Sequence, residues 1–170
     1  SHMVIDDFQK NATALNGNGN LTVNLTDITV TGAGPTSVTA QNGIQISRGA
    51  TGAVSGNIVA NHVCSSVSGG CTDDPTTSLT ADGASGILLY VSGPGVTISG
   101  NTLKANQEGI RLFKTERTTV RSNHIHDSVT VGALSSSVIV AVACCAPDSV
   151  PLVTPVMSTI TVSLPSCRVS

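Results

Sequence analysis

A repeating pattern of about 22 residues limits the folds open to this chain more than any other feature. Each repeat begins with Gly-Ile and, after a gap, continues with Val, a small residue, Asn and an aliphatic residue. The pattern occurs at 43–58, 86–103 and 109–125. Repeats of about 20 to 50 residues are typical of solenoids, because one unit can bury its apolar side chains only against the next unit.

Short stretches of alternating apolar and polar residues fill each repeat, as in Ile44-Gln45-Ile46 and Val96-Thr97-Ile98. Alternation with a period of two indicates strands with one buried face, and the Gly, Asn and Ser residues between them indicate turns. The sequence predicts an all-β fold: a right-handed parallel β-helix (solenoid) of about four to five coils, followed by a C-terminal β tail.

The asparagine of each repeat has a physical reason to recur. A stacked Asn at a turn can hydrogen-bond to the coils on both sides and satisfy backbone groups that the turn leaves unpaired. We therefore expect Asn57, Asn101 and Asn123 to form a column. Since Asn57 and Asn101 lie two repeat lengths apart, either an insertion or an irregular coil separates them.

Composition divides the chain into three parts. Residues 1–3, Ser-His-Met, are interpreted as the remnant of an expression tag, and residues 4–128 as the solenoid. The tail at 129–170 lacks the repeat and has only two charged residues, Asp148 and Arg168. We expect this tail to act as a cap, a swapped arm or a homodimer interface, because solenoids leave open sheet edges at their ends. A truncated, fused or frame-shifted reading frame is the alternative explanation.

The Gly-Ile pairs at 43, 86 and 109, each followed by Asn57, Asn101 or Asn123, resemble the repeats of the pectate-lyase-like parallel β-helix superfamily. The likeness is greatest to the periplasmic copper-processing and carbohydrate-binding/sugar-hydrolase type of repeat. This resemblance implies an extracellular or periplasmic location and a polysaccharide ligand. It leaves the activity open, because the same coil occurs in lyases, hydrolases, epimerases, adhesins and tailspikes.

Charge and composition argue against two classes of partner. The net charge is −2, and the aromatic residues are only Phe8, Tyr90 and Phe113, so neither a basic surface nor a base-stacking platform for nucleic acid is expected. No apolar run approaches the roughly 20 residues that span a bilayer, and no signal peptide is recognised, so no membrane partner is expected.

The densest group of polar residues supplies weak candidates for a catalytic site: Arg111, Arg121, His124, His126 and Asp127. Alternation places Arg111, His124 and His126 on an outward, solvated face, where the two histidines could bind a metal with Asp127 or provide a base beside an arginine. The acidic residues do not cluster along the chain, so the sequence supports no definite lyase or hydrolase site.

Cysteines and acidic pairs give two further candidates. Cys64 and Cys71 flank a short loop that a disulfide could close in an oxidising compartment, whereas Cys144-Cys145 is interpreted as a pair of buried thiols. Asp73 and Asp74 precede a proline, which favours a turn, and calcium binding there is the minor alternative. No other cofactor is expected.

The sequence thus predicts a short β-solenoid that serves as a binding or assembly module, directed at carbohydrate, without an evident catalytic site. One alternative is a polysaccharide lyase or hydrolase relative that acts on an acidic polysaccharide through the polar group around His124. A second alternative is a structural oligomerisation module built around the tail.

Overall fold

The computed structural model describes residues 1–65, 71, 83–129, 131–135 and 139–144. Every regular element in this part of the chain is a β-strand, which confirms the predicted all-β class. No helix among the described residues is long and apolar enough to cross a membrane.

Fourteen strands follow one another in the described part of the chain. They are β1 (Met3–Ile5), β2 (Asn11–Asn16), β3 (Thr22–Thr26), β4 (Ile28–Thr36), β5 (Asn42–Ser47), β6 (Thr51–Ser55), β7 (Ile58–Cys64), β8 (Ser85–Tyr90), β9 (Thr97–Ser99), β10 (Thr102–Lys104), β11 (Glu108–Phe113), β12 (Thr118–His126), β13 (Val131–Ser135) and β14 (Ile139–Cys144).

The strands stack in parallel on three faces. One face holds β2, β5, β8, β11 and β13 in that order, and a second holds β3, β6, β9, the first part of β12 and β14. The third holds β1, β4, β7, β10 and the second part of β12. Because the chain visits the three faces in turn, it winds as a parallel β-helix of four complete coils, with a fifth coil begun by β13 and β14. The predicted solenoid is confirmed.

Aliphatic side chains stack along the inside of the coils. Ile44, Ile87 and Ile110 are in register on neighbouring strands, and each is fully buried. A second column of Ile46 and Leu89 is equally buried. Each such side chain contributes about 2 kcal/mol of hydrophobic stabilisation, so the coils depend on their neighbours for stability.

The asparagine column lies at the corner between the second and third faces. Asn57 Nδ2 donates to Asn101 Oδ1 over 3.0 Å, and Asn101 Nδ2 donates to Asn123 Oδ1 over 2.9 Å. The backbone N–H groups of Asn57 and Asn101 donate to the same two oxygens. The ladder therefore satisfies buried backbone groups at each turn, as the repeated Asn predicts.

The extra chain between Asn57 and Asn101 is an insertion and not a further coil. Strand β5 pairs directly with β8, β6 with β9, and β7 with β10, so the second and third coils are immediate neighbours. The insertion therefore lies between β7 and β8 in the sequence. Cys64 and Cys71 form a disulfide at its start, with their Cα atoms 5.6 Å apart.

The glycine of the Gly-Ile frame permits close approach between coils. A Cβ atom on Gly43 would lie 2.6 Å from Gly86 O, and one on Gly86 would lie 2.8 Å from Gly109 O. Such distances are shorter than real Cβ contacts, so the spacing of the backbones requires glycine at positions 43 and 86.

Parallel pairing of strands continues beyond residue 128, the predicted end of the solenoid. Strand β13 pairs in parallel with β11, and β14 pairs in parallel with β12. A strand edge accepts any chain of suitable β-propensity, so the apolar stretch at 139–144 adds to the stack without the Gly-Ile or Asn frame. The rest of the predicted tail, residues 130, 136–138 and 145–170, lies outside the described residues.

Candidate functional site

Strand β12 turns a corner of the solenoid at Ser122. Ser122 has a positive φ of 53°. The residues at the same corner of the earlier coils also have positive φ angles: Gly100, Gly56 and Asp27. Residues up to Arg121 pair with β9, and residues from His124 onward pair with β10. Arg121 and His124 therefore project from different faces, although only two residues separate them.

Two histidines and an aspartate come together on the third face. The rings of His124 and His126 lie 4.7 Å apart at their centroids, and His126 Nδ1 lies 2.9 Å from Asp127 Oδ2. Between them Ile125 is buried, so the alternation that places both histidines outward holds. We call His124, His126 and Asp127 the histidine pair site.

The surroundings of the histidine pair site are open and polar. His124 and Asp127 are exposed, and His126 is half-buried. On the preceding coil Thr102 lies in register with His124, and the exposed Lys104 lies in register with His126. Solvent therefore reaches both imidazole rings.

Arg111 does not belong to this site, and its predicted exposure is wrong. It lies on β11, on the first face, and only 8% of its surface is accessible. Its Nη1 atom lies 3.7 Å from Oε2 of the fully buried Glu108. Alternation along one strand gives only the direction of a side chain, so it cannot reveal the contact with Glu108 or the packing beside the neighbouring coil, where Leu88 on β8 is in register with Arg111.

His62 is a buried histidine that the sequence did not mark as important. It takes the place of an asparagine at another corner, where its N–H and its Nδ1 both bond to Asn106 Oδ1, the latter over 2.8 Å. Asn106 Nδ2 donates to Val59 O, so Oδ1 is the acceptor and His62 carries its proton on Nδ1. Burial lowers the pKa of His62 to about 4, and the hydrogen bond to Asn106 opposes this shift only in part.

The first face carries a second group of surface residues, which was not predicted from the sequence. Tyr90 and Phe113 are in register on β8 and β11, and their rings stack 5.1 Å apart with an angle of 6°. Lys114 Nζ lies 5.3 Å from the Phe113 ring centre, and Arg48 N donates to Tyr90 O over 3.2 Å. We call Arg48, Tyr90, Phe113 and Lys114 the aromatic ridge. The signal for it was the repeat itself, which brings two of the three aromatic residues to the same position of adjacent coils.

The described residues contain no cluster of three or more His, Cys, Asp or Glu side chains that could enclose a metal ion. Asp73 and Asp74, the calcium candidates, lie outside the described residues. The histidine pair site offers two imidazoles, which suit copper or zinc. Its carboxylate, Asp127, accepts a hydrogen bond from His126 Nδ1 and so leaves Nε2 as the donor atom, an arrangement usual for metal-ligating histidines.

A comparison with models of protein families identifies the family of this chain. A model described as NosD, periplasmic copper-binding protein (NosD), matches residues 18–139. The chain belongs to the NosD family. The match covers the four complete coils apart from the start of the first, and it reaches β14. No curated protein and no solved structure matches the chain. Membership of NosD supports a binding module of the β-helix type.

Proposed function

We propose that this chain is a periplasmic β-helix module that binds a copper ion through His124 and His126. The single observation that carries the proposal is the outward pair of imidazole rings, 4.7 Å apart, with Asp127 bonded to one of them. The description of the NosD family as periplasmic and copper-binding supports both the metal and the location.

The three residues of the histidine pair site have different roles in the proposed copper binding. Strand β12 fixes the two histidines on one face, and Asp127 orients the His126 ring and selects its tautomer. Asp127 is thus a positioning residue. Two protein ligands on an open surface leave the other coordination positions of the ion to water or to an added ligand, so binding should be readily reversible.

Copper titration of matched variants tests this proposal. His2 and the N-terminal amine offer copper ligands of their own, so all proteins should carry His2→Gln. In that background we expect one copper ion per chain in calorimetry, with binding lost in the double variant His124→Gln/His126→Gln. Arg121→Ala, which alters the adjacent face, is the control and should bind normally. Copper binding that survives the double variant would contradict the proposal.

Asp127→Asn should weaken copper binding by about tenfold or more without abolishing it, the usual effect of losing an outer-shell partner. Copper electron paramagnetic resonance should still report nitrogen ligands in this variant. Complete loss of copper binding in Asp127→Asn would instead make the carboxylate a ligand of the metal.

The aromatic ridge favours a second candidate function, the binding of an acidic polysaccharide. Tyr90 is 45% exposed, and Arg48 and Lys114 follow β5 and β11, the strands on either side of β8. Cationic groups beside aromatic rings suit the carboxylates and apolar faces of uronic acid residues. In this second proposal the carbohydrate would bind on the first face, away from the histidine pair site.

A panel of polyuronates and neutral glycans tests this second candidate. Retardation in affinity electrophoresis should be confined to the polyuronates and should be lost in Arg48→Ala/Lys114→Ala but kept in the control Lys10→Ala. Equal retardation of both variants would exclude the aromatic ridge as the polyuronate-binding site. Measurable cleavage that disappears in His124→Ala or His126→Ala would instead favour the lyase or hydrolase alternative.

A further inference from the structure

The hydrophobic core is incompletely covered at the N-terminal end of the solenoid. In the middle coils Ile44 and Ile87 are fully buried. Among the side chains whose burial the structure describes, the apolar ones that pack on the core but remain partly exposed come from the first coil and the segment before it: Ile5, Phe8, Ala12, Leu15, Leu21 and Leu25. The first coil therefore retains apolar surface that a further layer would bury.

Strand edges are open at the same end. Within the described residues, β2 and β3 are the terminal strands of their faces, and β1 pairs only with β4. Neither Asn11–Asn16 nor Thr22–Thr26 contains a charged residue or a proline. Soluble proteins usually protect an open edge with charges, prolines or bulges, so these two strands lack the ordinary barriers to strand addition.

The sequence contains a segment that fits the edge of β3. Residues 159–164, Thr-Ile-Thr-Val-Ser-Leu, alternate polar and apolar side chains in the same order as Thr-Val-Asn-Leu-Thr in β3. Paired with β3, this segment would add three apolar side chains to the exposed end of the core and direct its hydroxyl groups outward. The scarcity of charge in residues 129–170 agrees with a buried role.

The geometry of the stack indicates which copy supplies the segment. The last described strand, β14, lies at the C-terminal end of the solenoid, and the open edge of β3 lies at the opposite end. In a head-to-tail pair of copies the C-terminal end of one stack faces the N-terminal end of the next, whereas within a single copy residues 159–164 would have to pass back along four coils to reach β3. We propose that the open edge of β3 binds residues 159–164 of a second copy of this chain as an added parallel strand.

Two substitutions in the full chain test the two sides of this contact. Asn24→Lys places a charge on the edge strand, and its control, Ala53→Lys, places one at the register partner on β6, which is paired on both sides. Val162→Asp alters the apolar face of the tail segment, and its control, Ser163→Asp, alters the opposite face. Circular dichroism of each variant verifies that the fold is retained.

Sedimentation velocity then measures self-association. We expect the unmodified chain and both controls to associate, and Asn24→Lys and Val162→Asp each to raise the dissociation constant by about tenfold or more. A mixture of Asn24→Lys and Val162→Asp should recover association, because a mixed dimer has one intact contact. A monomeric unmodified chain would overturn the proposal, and so would association that none of the variants changes.

Discussion

At the scale of single residues, side-chain amides hold the layers of this solenoid together. Asn101 donates through Nδ2 to Val54 O and to Asn123 Oδ1, and its own Oδ1 accepts from the N–H and Nδ2 of Asn57. All of these groups lie in the interior, where an unpaired donor or acceptor costs about 1 to 3 kcal/mol. One asparagine thus satisfies polar groups in the coil before it and the coil after it.

Replacing Asn101 should therefore be costly. We expect Asn101→Ala to lower the free energy of unfolding by about 3 kcal/mol, because it leaves Val54 O and Asn57 N without partners. Urea denaturation measures this loss. The exposed turn residue Asn18 provides the control, since Asn18→Ala should change stability by less than about 0.5 kcal/mol. Equal effects of the two substitutions would contradict the role of the ladder.

His62 makes stability depend on pH. Its pKa is about 4 in the folded chain and about 6.5 when exposed, so the unfolded chain takes up the proton first as the pH falls. Stability from His62 is complete above pH 6.5 and should decline by up to about 3 kcal/mol as the pH approaches 4. Denaturation at a series of pH values measures this decline.

His62→Asn should remove most of that pH dependence, because asparagine fits the ladder position and does not titrate between pH 4 and 7. His124→Gln, at an exposed histidine, should leave the dependence unchanged. A steep acid transition that persists in His62→Asn would assign the effect to other groups.

At the scale of strands and turns, the Gly-Ile frame sets the distance between coils. We expect Gly86→Ala to destabilise the chain by about 2 kcal/mol, since the added methyl group would lie 2.8 Å from Gly109 O and 2.9 Å from Asn106 Nδ2. Gly100→Asn is the matched control. Gly100 has open space around it and a φ of 64°, a conformation that Asp27 and Ser122 adopt at the same corner. Gly86→Ala should lower the midpoint temperature of thermal unfolding, whereas Gly100→Asn should change it little.

The sequence was informative where the repeat or the alternation along a strand determines the outcome, and uninformative where contacts with particular residues do. Repeat spacing predicted the asparagine column, because identical positions recur at a fixed interval. Alternation correctly placed His124 and His126 outward. Alternation predicted the wrong exposure for Arg111, which lies beside Glu108 and the adjacent coils. It also did not predict that Tyr90 stacks on Phe113.

At the scale of the whole molecule, each coil of the described residues pairs only with the coil before it and the coil after it. Stability should therefore be highest in the middle and lowest at the ends, as in other solenoids. Hydrogen exchange should show the strongest protection for the amides of β5 and β8 and the weakest for β1, whose Met3 and Val4 are more than half exposed. Uniform protection through all coils would mean that the chain unfolds as one unit.

The insertion between β7 and β8 shows that two layers stay matched although extra residues separate them in the sequence. Ile44 still faces Ile87 across this interruption, and Asn57 still bonds to Asn101. The number of residues between β7 and β8 is thus uncoupled from the fit of the layers. A foreign peptide inserted here, such as an epitope or an affinity label, would be displayed on a scaffold that does not need to be redesigned to carry it.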